Sequence, residues 1–192
     1  MPNRIATTVA ALAAAAIALS GCASPEVGGD HAGHGSSQAP SGAAADVAFA
    51  AAMIPHHEQA VEMADIVLAK PDLDPRVADL AERIRAAQEP EIATMRSWLE
   101  AWGAEADAHG GMDHGDDGML TEGELAELEA ADGASASTRF LEGMIAHHEG
   151  AVAMAEQELD DGEDPDALAL AASIVDAQQR EIDEMRALLD AL

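Results

Sequence analysis

A sixteen-residue block that occurs twice constrains this chain more than any other feature. The first copy reads Phe49-Ala-Ala-Ala-Met53-Ile54-Pro55-His56-His57-Glu58-Gln59-Ala60-Val61-Glu62-Met63-Ala64. The second reads Phe140-Leu-Glu-Gly-Met144-Ile145-Ala146-His147-His148-Glu149-Gly150-Ala151-Val152-Ala153-Met154-Ala155, and ten of the sixteen positions are identical. Each copy is followed by a second signature, Gln88-x-x-Glu91-Ile92-x-x-Met95-Arg96 and Gln178-x-x-Glu181-Ile182-x-x-Met185-Arg186, displaced by ninety residues instead of ninety-one. Such a chain is two copies of one helix pair. The repeated polar residues are His, Met, Glu and Gln, so the duplication preserves metal-capable side chains along with a packing pattern. A paired or symmetric metal site is the expectation.

The chain has 192 residues, no Tyr, two Phe and two Trp, and it is rich in Ala, Leu, Glu and Asp with nine Met, which favours helix over strand. The expected fold is all-α, a ferritin-like four-helix bundle built from two tandem helix-pair repeats. Repeat one covers 46–102, a His/Met/Gly linker 103–120, and repeat two 121–192. Asp46 is the expected N-cap of the first helix, which runs to about Lys70, and Asp74-Pro75 starts the second, which reaches about Trp102. Thr121-x-x-Glu124 is a capping box for a short helix to about Ala130, a third long helix begins near Ser137, and Asp164-Pro165 starts the last.

Residues 1–22 form a processing segment: Arg4, an apolar stretch from Val9 to Leu19 too short to span a bilayer, then Leu19-Ser20-Gly21-Cys22. This resembles a bacterial lipobox, which implies cleavage before Cys22, lipidation of its thiol and an extracytoplasmic protein anchored to the cell membrane. Residues 23–45, rich in Gly, Ser, Ala and Pro, read as a flexible tether that carries His31 and His34. Cys22 is the single cysteine, so no disulfide forms within the domain, and any metal there must be held by His, Met, Asp, Glu or Gln. A formal charge of −28 argues against nucleic acid as a partner and would concentrate cations.

At 100° per residue, Met53, His56, His57 and Met63 fall on the apolar face of their helix with Ala60, Ala64 and Val67, and Met144, His147, His148 and Met154 repeat the arrangement. On the second helix of each pair, Gln88 and Met95 lie in the apolar stripe with Glu91 at its edge, as do Gln178, Met185 and Glu181. For the methionines, core packing and metal contact are both open. Burying adjacent imidazoles twice is costly unless partners or a metal satisfy their nitrogens, which favours a ligand role for at least one His per copy. Gln88 and Gln178 are candidates to hydrogen-bond the histidines, and Glu91 and Glu181 are candidates to orient an imidazole. Glu58 and Glu149 belong to a solvated face from which a neighbouring helix is within reach. Pro55, replaced by Ala146 in the second copy, frees the carbonyl of Ala51, which raises the question of a kink and of unequal half-sites.

Two enzyme motifs fail on inspection. His57-Glu58-Gln59-Ala60 ends in Val61 and His148-Glu149-Gly150-Ala151 in Val152 where a zincin needs His, and no Glu-x-x-His of the di-iron bundles occurs anywhere. Thioethers beside imidazoles, with no thiolate, select copper and favour Cu(I); zinc held by imidazole alone stays an alternative. His109, Met112, His114 and Met119 form an auxiliary metal candidate in the Gly-rich linker.

The Met-Ile-Pro-His-His-x-x-Ala-Val-x-Met-Ala block, its Met-Ile-Ala-His-His partner and the Gln-x-x-Glu-Ile-x-x-Met segments resemble the DUF305 family over about residues 46–190. The resemblance implies a ferritin-like bundle, export and, for the copper-associated CopM-type members, periplasmic copper binding and copper resistance. Carried over by position, it implies metal association for Met53, His56, His57, Met63, Met95, Met144, His147, His148, Met154 and Met185. The chain departs from the family at Ala136-Ser137, where Phe-Asp is usual, which touches a helix cap and a core contact. The expected function is a non-enzymatic, membrane-anchored copper binder that sequesters, transfers or confers resistance to the metal through an exchange partner the sequence does not name. A ferritin-like metal-dependent redox enzyme, a structural or adaptor lipoprotein with no metal, and homo-oligomerisation are the alternatives.

Overall fold

The computed structural model describes residues 42–104 and 117–192. The expectations for the signal segment, Cys22, the tether histidines, His109, Met112 and His114 lie outside those residues. Five helices follow in order: α1 Gly42–Leu68, α2 Pro75–Trp102, α3 Glu122–Ala130, α4 Gly133–Asp161 and α5 Pro165–Leu189. There is no strand among the described residues, and none of their helices is long and apolar enough to cross a membrane. The four long helices form the expected bundle: α1 packs on α2, α4 on α5, and α1 against α4, with α3 lying on α1 and α4.

Local sequence explains most of the helix ends. Asp74 accepts from the Arg76 amide and Asp164 from the Asp166 and Ala167 amides, each just ahead of a proline whose missing N–H costs nothing at the first helical position. Thr121 and Glu124 make the reciprocal capping box of α3. Two starts differ from expectation. α1 begins four residues before Asp46, because Gly42-Ala-Ala-Ala continues the helix backward and Asp46 is used elsewhere: buried, it accepts from the Glu163 and Asp164 amides at 3.0 and 3.1 Å, across the bundle at the head of α5. α4 begins at Gly133 behind Asp132, whose side chain accepts from the Ser135 amide. Ser137, the counterpart of Asp46, is likewise inside its helix; its hydroxyl donates to the Gly133 carbonyl at 2.8 Å and accepts from the Asp74 amide at 3.4 Å. The two repeats thus cap each other's second helix. α1 continues as helix through Pro55.

The core divides into two clusters. One gathers Met63 and Val67 of α1, Leu80 and Ile84 of α2, Phe140 and Met144 of α4, and Met185 of α5. The other gathers Phe49 and Met53 of α1, Met95 and Leu99 of α2, Ala151 of α4 and Ile174 of α5, with Met154 packed against it. Met63, Met144 and Met185 are the repeat counterparts of Met154, Met53 and Met95. Each cluster therefore draws on both repeats, as an approximate twofold relation between the helix pairs requires. Each buried Val, Leu, Ile, Phe or Met side chain in these clusters contributes on the order of 1.5–3 kcal/mol by leaving water.

Candidate metal centre

His56, His57, His147 and His148 are all buried where α1 meets α4. His56 and His147 are equivalent in the repeat, and their ring centroids lie 3.7 Å apart with planes tilted by 40°. The rings of His147 and His148 have centroids 6.4 Å apart.

Hydrogen bonds decide which nitrogens remain free. His57 Nε2 donates to Glu91 Oε2 at 2.8 Å, and His148 Nε2 donates to Glu181 Oε2 at the same distance. His56 Nε2 donates to the Asp117 carbonyl at 2.9 Å. A ring that donates from Nε2 carries, in its neutral form, an unprotonated Nδ1. In all three residues that Nδ1 is buried without a partner. His147 goes further: both its nitrogens are buried and unpartnered, the nearby His56 backbone lying outside hydrogen-bonding geometry.

Electrostatics keep the rings of His56 and His147 uncharged. Burial, then the charge of neighbouring histidines, holds His147 well below the ordinary imidazole range. Burial likewise lowers His56 to about 4, against the raising effect of its bond to the Asp117 carbonyl. Both are neutral at physiological pH, the form in which an imidazole ligates metal.

The other expected residues are placed as follows. Glu91 and Glu181 contact His57 and His148 directly. The buried Gln88 and Gln178 have an Oε1 with no partner and do not bond the histidines through it. Met53, Met63, Met95, Met144 and Met185 are fully buried and Met154 half-buried, and they are divided between the two core clusters instead of being gathered in one interior. Met119 is half-buried beside a cavity of about 380 Å³ that Gly118, Leu120, Glu124 and Gly143 also line. Glu58 and Glu149 reach the second helix of their own pairs, where Arg96 and Arg186 donate to them. Among the described residues, no three His, Cys, Asp or Glu side chains form a group fitted to one ion, so thioethers would have to complete any site built on these imidazoles.

Sequence reasoning missed the segment 117–120, which crosses the histidines. Gln59 donates to the Leu120 carbonyl at 2.9 Å and accepts from the Leu120 amide at 2.7 Å. The one available signal was the mismatch of Gln59 with Gly150 inside otherwise matching blocks.

A helical bundle with a duplicated His-His pair, each pair braced by a glutamate from the next helix, defines the class of protein. The chain belongs to the family described as Domain of unknown function (DUF305), which it matches over residues 46–189. It is similar to the structure of a DUF305 protein from Streptomyces coelicolor described as secreted, at 35% identity over 77% of this chain and 91% of that one, with a TM-score of 0.72. A DUF305 fragment from Deinococcus radiodurans shares 32% identity over 80% of this chain and 100% of that one, with a TM-score of 0.71. CopM in its Cu(II)-bound form shares 32% identity over 76% of this chain and 96% of that one, with a TM-score of 0.66. Structures of CopM bound to Cu(I) and Ag and without metal are also similar. No curated protein matches the chain.

Proposed function

We propose that this protein binds copper as cargo, through the imidazoles of His56, His57, His147 and His148 and through methionine thioethers. The observation that carries the reading is the set of buried ring nitrogens without partners: Nδ1 of all four histidines and Nε2 of His147. Leaving a buried acceptor unpaired costs about 1–3 kcal/mol each, a cost that metal coordination removes. Glu91 and Glu181 brace two rings through Nε2, which fixes their orientation and raises the basicity of the opposite nitrogen, the arrangement common behind metal-bound histidines. The similarity to CopM, crystallised with Cu(II), Cu(I) and Ag, supports copper over zinc, and buried thioethers favour Cu(I). The role is sequestration, transfer or resistance outside the cytoplasmic membrane, with residues 1–22 as a lipoprotein signal, Cys22 as the lipid anchor, 23–45 as tether and 46–192 as the metal-binding domain. His109, Met112, His114 and Met119 in the linker would serve as an auxiliary site.

The absence, among the described residues, of a ready three-donor group of His, Cys, Asp or Glu favours one rival: a scaffold lipoprotein whose imidazoles only pack. A Cu(I) and Zn(II) titration under chelator competition separates the two, comparing the natural chain with one carrying Gln at positions 56, 57, 147 and 148. Tight stoichiometric Cu(I) in the natural chain and its loss in a still-helical variant support the copper reading. Equal retention by both, or none by either, sinks it.

A further inference from the structure

The segment Asp117–Leu120 is held to the bundle at three points, and two of them are equivalent positions of the repeat. Gln59 on α1 brackets Leu120 with two hydrogen bonds. At the matching place on α4 stands Gly150, where a Cβ would lie 1.6 Å from the Asp117 carbonyl oxygen. The third point is that carbonyl itself, which accepts from His56 Nε2. Gly118 completes the fit: its φ of +77° would be strained for any L side chain, and a Cβ there would lie 2.0 Å from the Ala146 carbonyl oxygen. The duplicated block has thus diverged where the strap lies, into a latch on one helix and a seat on the other.

The strap has two effects on the histidine pair. It commits the Nε2 of His56, whereas the equivalent His147 has both nitrogens free. It also lies over a pair of rings that are essentially without solvent contact, His56 at 1% and His147 at 0% exposure. We infer that Gln59 is a positioning residue that latches the 117–120 strap over the His56/His147 pair, and that opening this latch sets the rate at which copper exchanges with the pair. This rests on copper as the cargo of that pair. An ion reaching His56 and His147 from the strap side must displace the segment, which requires breaking both Gln59 bonds; an ion already inside is retained by the same contacts.

The test compares the full chain with Gln59→Ala and Gln59→Glu, the latter keeping the acceptor for the Leu120 amide. Each protein is loaded with Cu(I), and release to a chromogenic chelator is timed. In metal-free samples, hydrogen exchange of the Leu120 amide and the nitrogen shifts of the His56 imidazole are followed by NMR. The expected result for Gln59→Ala is unchanged copper stoichiometry, loss of Leu120 protection, and release faster by about tenfold or more, the size that follows from losing two hydrogen bonds. Gln59→Glu should fall between. If Leu120 protection or the release rate is the same in Gln59→Ala as in the natural chain, the latch is wrong while the copper reading stands. If the natural chain retains no copper, the copper reading fails, and the latch as a control of exchange fails with it.

Discussion

The imidazoles of His56 and His147 meet with ring centroids 3.7 Å apart. Equivalent side chains of two repeats can touch only near the axis that relates the repeats, so this pair marks the centre of the duplication. Both rings are uncharged there, because burial penalises the imidazolium and two adjacent cations would repel. The centre of symmetry is therefore a buried pair of neutral imidazoles, and each of the two core clusters brings together three methionines, Met154 being packed against the edge of the second.

If Glu91 and Glu181 orient ligating rings, their effect is on affinity more than on folding. Glu91→Gln combined with Glu181→Gln should weaken Cu(I) binding by about 10–100-fold, as loss of a carboxylate behind a metal-bound histidine generally does. Competition titration measures this, with circular dichroism as the check on helix content. An unchanged affinity would show that these glutamates only satisfy Nε2.

The methionine trios permit a test of thioether ligation. Met63, Met144 and Met185 replaced together by Leu nearly conserve core volume, and each exchange should cost less than about 1.5 kcal/mol in urea unfolding. Cu(I) affinity should fall sharply and Cu(II) affinity much less, because only the softer ion prefers sulfur. Equal Cu(I) binding in the folded variant would assign the trio to packing alone.

Glu158 makes stability depend on pH. Burial, reinforced by the Asp46 carboxyl beside it, raises it from 4.5 to about 8, and neither of its oxygens has a partner in hydrogen-bonding geometry. The folded chain holds this proton where the unfolded chain has released it. Its contribution is therefore full below 4.5 and is lost as pH rises through about 8. Glu158→Gln should grow more stable relative to the natural chain between about pH 5 and about pH 9, read by urea midpoints at each pH. A constant difference across that window would contradict the assignment.

Asp46 joins α1 to the head of α5 through the Glu163 and Asp164 amides. Asp46→Ala, measured at about pH 6 where Glu158 is protonated, should cost about 1–2 kcal/mol, the size of a lost helix cap. The weaker counterpart contact, from the Asp74 amide to the Ser137 hydroxyl at 3.4 Å, predicts a smaller loss for Ser137→Ala. If the order is reversed, cross-repeat capping does not govern these ends.

The helices, the pairing of the repeats and the histidine-bearing faces were legible in the chain, because a period of 3.6, an Asp-Pro start and a capping box are all local signals. Asp46 shows where local reading stops. Asp followed by apolar residues is a good N-cap by itself, and its use across the bundle depends on where α5 begins, more than a hundred residues away. The same holds at the histidines. Identical blocks imply identical half-sites, but the linker's Asp117 carbonyl accepts from His56 and no linker carbonyl bonds His147, because one linker crosses an approximate twofold centre and can lie on only one side of it. By itself the sequence determined a duplicated helical bundle with buried imidazoles. Tertiary structure alone decided which nitrogens are tied and which are free, since that depends on contacts between segments distant in the chain that no local periodicity encodes.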